Sequence, residues 1–117
     1  MKKTLFLVTF LFSTLSYNAN AQTQAEMNET AFKSYQKVDT ELNKVYKQLL
    51  KVLEEDEIKM LVKAQKDWIK FRDSHCEFEA HEYEGGSIQP LIRLTCLEEQ
   101  TKKRIEDLQS ILKNREN

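Results

Sequence analysis

From Ala31 onward an apolar or small residue recurs every three or four positions, as Ala31, Tyr35, Val38, Leu42, Val45, Leu49 and Val52. That alternation is one face of an α-helix sustained as a heptad stripe. A helix over Ala25–Leu53 would be about 43 Å long, so its partners must lie lengthwise beside it. Thr23-Gln24-Ala25-Glu26 marks its start, because the hydroxyl and the carboxylate can each accept from a free N–H of the first turn. Glu54-Glu55-Asp56-Glu57 predicts the break, with acids suited to the N-terminus of a second helix. Ile58, Leu61, Val62, Gln65, Trp68, Ile69, Arg72 and Cys76 continue at helical spacing, and this helix runs out near Ala80. His81–Gln89 is the connection to a third helix beginning near Pro90, a residue tolerated in a first turn, with Ser87 as its cap. Leu91, Leu94, Leu97 or Glu98, Thr101, Ile105, Leu108 and Leu112 form the third stripe, and the polar tail Lys113–Asn117 is expected to fray. The chain has two glycines and one proline, all within 85–90, so few other places can turn. The expected fold is all-α: an antiparallel bundle of three helices with one long N-terminal helix.

The chain opens differently. Lys2 and Lys3 precede an apolar run from Leu5 to Leu15, and Ala19-Asn20-Ala21 follows. This is the pattern of a secretory signal cleaved after Ala21, and the run is too short to span a bilayer. Residues 22–117 form the expected domain, which carries no later membrane-spanning stretch. Losing Lys2 and Lys3 moves the formal net charge from −1 to −3. That balance argues against a nucleic-acid partner and is compatible with a basic protein partner. The two cysteines, Cys76 and Cys96, most simply pair in an exported protein, placing one disulfide between helices two and three. The closed loop of about 20 residues is worth roughly 3 kcal/mol on the chain-entropy model. The bond either only stabilises a small domain or also holds a binding loop in shape, and the two are compatible.

Three polar residues stand close to apolar stripes. Arg72 follows Trp68 by four positions on one helix face. It either lays its stem on the core and pairs with a carboxylate, or contacts a partner. Gln65 and Asn43 carry the same alternatives, since a polar residue on a packing face can set helix register. Tyr35, Tyr46, Trp68 and Phe71 are expected in the core.

The connection is the best candidate binding surface. Asp73, Glu77, Glu79, Glu82 and Glu84 place five acids within twelve residues, with Tyr83 among them. Gly85-Gly86-Ser87 follows, and glycine allows backbone to approach a partner closely. This is either a solvated acidic tip or a loop steered towards a basic protein. Other chemistry has little support. His75, Cys76, His81 and Cys96 lack the compact spacing of a structural zinc site, and no nucleotide loop, catalytic triad or glycosidase pair stands out. No metal, cofactor or enzymatic activity is expected.

Several residue groups together resemble one family. They are Ala21-Gln22-Thr23-Gln24, Met27-Asn28, Leu42-Asn43 with Tyr46, Ala64-Gln65, Trp68, Phe71-Arg72-Asp73, Cys76, Gly85-Gly86-Ser87, Cys96, Thr101 and Arg104. The pattern is similar to the LprI-type lysozyme inhibitors, small exported bacterial domains, across essentially the whole mature chain. The resemblance implies a helical envelope domain that inhibits lysozyme. Many such relatives have a second cysteine pair near the start of the first helix; here Thr30 stands at one of its positions and no cysteine precedes Cys76.

Together these readings point to an exported protein, periplasmic or extracellular, that blocks a basic cell-wall hydrolase such as c-type lysozyme. Glu79, Glu82, Tyr83, Glu84, Gly85, Gly86, Ser87 and Arg72 are the candidate binding residues. The alternative is a periplasmic immunity or adaptor protein that binds another envelope protein without inhibiting lysozyme.

Overall fold

The computed structural model describes the backbone of residues 2–117 and the side chains from Thr23 onward; Met1 and the side chains of the expected signal peptide up to Ala21 lie outside the described residues. The elements are α1 (Lys2–Leu50), α2 (Glu55–His81) and α3 (Gln89–Glu116). The helix is already formed at Thr23, so Thr23-Gln24-Ala25-Glu26 lies inside α1 rather than capping its start. At its other end α1 stops at Leu50, three residues earlier than the stripe predicts. Lys51 and Val52 close a turn by donating to the Gln48 and Leu49 carbonyls. Val52 therefore leaves the buried stripe and is exposed.

The acidic run does begin α2. The Glu54 side chain accepts from the Glu57 N–H, while the Glu57 carboxylate accepts from the Glu54 N–H at 3.1 Å, a reciprocal cap made with Glu in place of Ser or Thr. That N–H, and the Arg115 guanidinium reaching over from α3, hold the Glu57 carboxyl below its ordinary pKa. At the start of α3 the cap residue is Ile88, with Pro90 in the first turn, so Ser87 lies one residue outside the expected position. The polar tail does not fray: α3 continues to Glu116, and Asn117 Nδ2 donates to the Lys113 carbonyl.

Both α1 and α2 pack against α3. Cross-links between α2 and α3 pair Glu57 with Arg115, Gln65 with Arg104, Arg72 with Thr101 and Glu77 with Arg93, in opposite sequence directions. Asn28 meets Ser87, while Leu42, Val45 and Leu49 meet Ile105 and Leu108, so α1 runs alongside α3 in the same direction. Consecutive helices are thus antiparallel, as the sequence predicts.

Burial is divided unevenly along the bundle. The apolar core of Leu42, Val45, Leu49, Ile105 and Leu108 occupies the end where α1 finishes, with Leu53, Leu61, Trp68 and Leu112 packed on it. Towards the α2–α3 connection the buried apolar residues are Ala31, Cys76, Ala80 and Cys96. Small side chains let helices approach but contribute little hydrophobic burial. The disulfide joins α2 to α3 there, with a Cα–Cα distance of 5.5 Å across a separation of 20 residues.

The two ends are expected to respond differently to mutation. Replacing both cysteines by alanine should lower unfolding free energy by about 3 kcal/mol and accelerate proteolytic cleavage between α2 and α3. Leu108→Ala should cost about 2–5 kcal/mol without selectively opening that connection. Urea melts with limited proteolysis check both.

Candidate functional site

Arg72 sits where all three helices meet. Its side chain comes from the middle of α2, where Gln65, Arg72, Cys76 and Ala80 are the buried residues. Only 7% of Arg72 is exposed. Its Nε and Nη2 approach Asp73 Oδ1, each at 2.9 Å, and Nη1 lies 3.4 Å from the fully buried Thr101 hydroxyl of α3. The same Nη1 is 3.8 Å from Asp39 of α1. The guanidinium also stands 5.1 Å from the Trp68 ring centroid and 5.6 Å from that of Tyr35. A planar cation with several donors suits such mixed stacking and pairing in a way that lysine does not.

Arg104 approaches Trp68 as well, at 5.7 Å, and its Nε donates to Gln65 Oε1 at 3.0 Å. Burial lowers the Arg104 pKa from its ordinary value, with Asp107 opposing. Trp68 is therefore the apolar centre of a knot formed by two guanidiniums. Gln65 and Arg72 join helices in register, as one of the sequence alternatives had it. Asn43 is exposed and lies with Asp39, Tyr46, Gln65 and Arg72 along a groove of about 220 Å³ between α1 and α2. Of the expected core aromatics, Trp68, Tyr35 and Tyr46 are half-buried.

Phe71 is a correction: it is 58% exposed and stacks on His75, with ring centroids 5.5 Å apart. Adjacent helix residues point about 100° apart, so Arg72 facing inward turns Phe71 towards solvent. Phe78, seven residues on, is 78% exposed. The sequence contained a signal for both, since Phe71 and Phe78 share a face that the Gln65–Arg72–Cys76 stripe excludes.

The other candidate residues, Glu79, Glu82, Tyr83, Glu84, Gly85, Gly86 and Ser87, all lie at the exposed end of α2 and in the connection. The connection is a series of turns, with N–H groups of Tyr83, Glu84, Gly86 and Gln89 donating to the carbonyls of Ala80, His81, Tyr83 and Gly86. Gly85 has φ +78°, in the left-handed region that favours glycine. The structure does not bring the five acids together as one cluster. Asp73 is held by Arg72 and Glu77 by Arg93. Glu79 meets His75 Nε2 at 2.9 Å, and Glu84 meets His81 at 3.5 Å. Glu82 makes no ion pair among the described residues. Cys96 Sγ lies close to the His75–Glu79 pair, but the disulfide leaves it no thiolate for a metal.

The family described as lysozyme inhibitor LprI matches this chain over residues 16–108. An uncharacterized protein of Rhizobium meliloti (strain 1021) is 32% identical over 110 residues, spanning 83% of this chain and 79% of that protein. No solved structure matches the chain.

Two outcomes follow from the knot. Arg72→Lys should lower stability by about 1–3 kcal/mol, because an ammonium cannot reproduce the fork and the stacking; chemical denaturation measures it. Burial pushes the Tyr35 phenol above its ordinary pKa of 10.0, with Arg72 opposing and Asp39 and Asp73 adding to the rise. The unfolded chain therefore releases this proton first. The stabilisation is whole below about pH 10 and is lost as pH rises through the folded value. The stability difference between wild type and Tyr35→Phe should shrink accordingly in melts above pH 10.

Proposed function

The chain belongs to the LprI lysozyme inhibitor family, and from that premise we propose that it is an exported binding protein that blocks a basic cell-wall hydrolase, with c-type lysozyme as first target. The observation that carries the reading is the tip of the bundle. Residues 82–88 are exposed throughout, while the helices leading into and out of them are joined by the Cys76–Cys96 disulfide. A turn held in this way loses little conformational freedom on docking, which favours affinity. Glu79, Glu82 and Glu84 give that tip a negative field, and c-type lysozyme is strongly basic with an open substrate cleft. Docking of the tip there would exclude the glycan.

The proposed role needs no catalytic group, cofactor or metal. Its requirements are a rigid protruding surface and charge complementarity, which raises the association rate more than final affinity. Export by the Met1–Ala21 signal is part of the same proposal, and a disulfide-stabilised fold suits an oxidising compartment. Arg72 is not included among the contact residues, because its guanidinium is engaged inside the bundle.

The purified mature protein should inhibit lysozyme-driven lysis of bacterial cell walls near stoichiometric ratios. Charge reversal at Glu79, Glu82 and Glu84 together should slow association and flatten its dependence on salt. Absence of inhibition at a large molar excess would overturn the proposal and favour an immunity or adaptor role. Stopped-flow binding across a salt series distinguishes a tip interface from one elsewhere.

A further inference from the structure

We propose that the outer face of α2 from Phe71 to Phe78, continued by its C-cap residue Glu82, is a docking surface for a basic protein, with Phe78 as its apolar anchor. The inference rests on the hydrolase-binding role proposed above, but extends it to residues outside the acidic turn. Phe71, His75, Phe78 and Glu82 follow one another at spacings of four, three and four, which places them along one stripe of the helix. Phe71 and Phe78 are exposed there, and α2 packs its opposite side, Gln65, Arg72, Cys76 and Ala80, towards the bundle interior. Aromatic side chains have few torsions to freeze and bury a large area, which is why they dominate binding hot spots.

The surroundings of Phe78 favour a cationic occupant. Beside it is an open depression of about 460 Å³ lined by Phe78, Glu79, His81, Glu82, Tyr83 and Ile92. The Glu82 carboxylate makes no ion pair among the described residues. Phe78, Tyr83 and Ile92 supply an apolar wall for an aliphatic stem, and the two carboxylates lie on the same depression for its charged head. An arginine or lysine of the partner satisfies both, with additional attraction to an aromatic face. An acidic or purely apolar partner would leave Glu79 and Glu82 repelled or desolvated. The disulfide at Cys76, two residues before Phe78, holds this part of α2 against α3. The anchor is therefore preorganised.

Phe78→Ala and Glu82→Gln test the proposal against c-type lysozyme, with Phe32→Ala, an exposed aromatic on α1, as control. Phe78→Ala should weaken binding about tenfold to thirtyfold, mainly through faster dissociation, while the melting curve stays unchanged because the side chain is exposed. Glu82→Gln should weaken binding by a smaller factor and reduce its salt dependence. Wild-type inhibition with an unaltered Phe78→Ala variant would overturn this inference and leave the proposed function standing. If the wild type fails to bind lysozyme, the proposed function fails, and a hexa-arginine peptide followed by NMR still tests the face. Shifts confined to residues 71–83 and Ile92, lost in Phe78→Ala and reduced in Glu82→Gln, support it. Shifts absent there, or spread evenly over all surface carboxylates, overturn it.

Discussion

The structure depends on a cation placed where an apolar residue would be expected. Transferring a guanidinium out of water is costly unless its donors find partners and its faces find aromatic rings. Arg72 has Asp39 on α1, Asp73 on its own helix and Thr101 on α3, with Trp68 and Tyr35 beside it. A well-packed apolar residue could be as stable or more so. What it would lack is direction. Two smooth heptad stripes can slide by a turn at little loss, whereas this fork finds its partners at one alignment. The Gln65–Arg104 hydrogen bond, two turns of α2 away, repeats the constraint.

This register device lies between two unlike forms of cohesion. On one side is the leucine-rich core, and on the other a disulfide among alanines. The second end has too little apolar volume to hold itself by burial, so a covalent link is the economical way to keep it closed in a chain this short. The first helix gains no such link. Near that end Asn28 Nδ2 approaches the Ser87 carbonyl of the α2–α3 connection at 3.5 Å, at the outer limit of a hydrogen bond. With the small Ala31 as its buried residue there and no covalent link, α1 opens locally more easily than α2 separates from α3.

Much of this architecture was legible because helical periodicity is a property of long sequence stretches. Six positions of α1 from Ala31 to Leu49, the acidic break and the lone pair of cysteines each point one way. The failures in placing the side chains of α2 share a cause. Hydropathy assigns apolar residues inward, and α2 violates that rule at its buried positions, where Gln65 and Arg72 face the bundle while Phe71 and Phe78 face water. Phe71 and Arg72 are neighbours, so one helix face cannot take both. Helix ends were less legible for a different reason. Caps depend on the direction of a few side chains, and a glutamate pair at Glu54 and Glu57 did the work usually assigned to serine or threonine.

The same inversion changes how the candidate surface should be understood. Counting acids in the sequence suggests a strongly negative tip, yet Asp73 and Glu77 are each held by an arginine, which leaves Glu79, Glu82 and Glu84 as the source of its field. Paired charges contribute weakly to a long-range field, and salt screens what remains within about 8–10 Å. Electrostatics alone would then make a modest selector among basic proteins. An exposed aromatic rim beside a less compensated carboxylate selects more sharply, because the partner must present apolar area and a cation together. On this view the buried arginine and the proposed docking face are two consequences of one helix orientation. Turning Arg72 into the bundle is what turns Phe71 and Phe78 out of it.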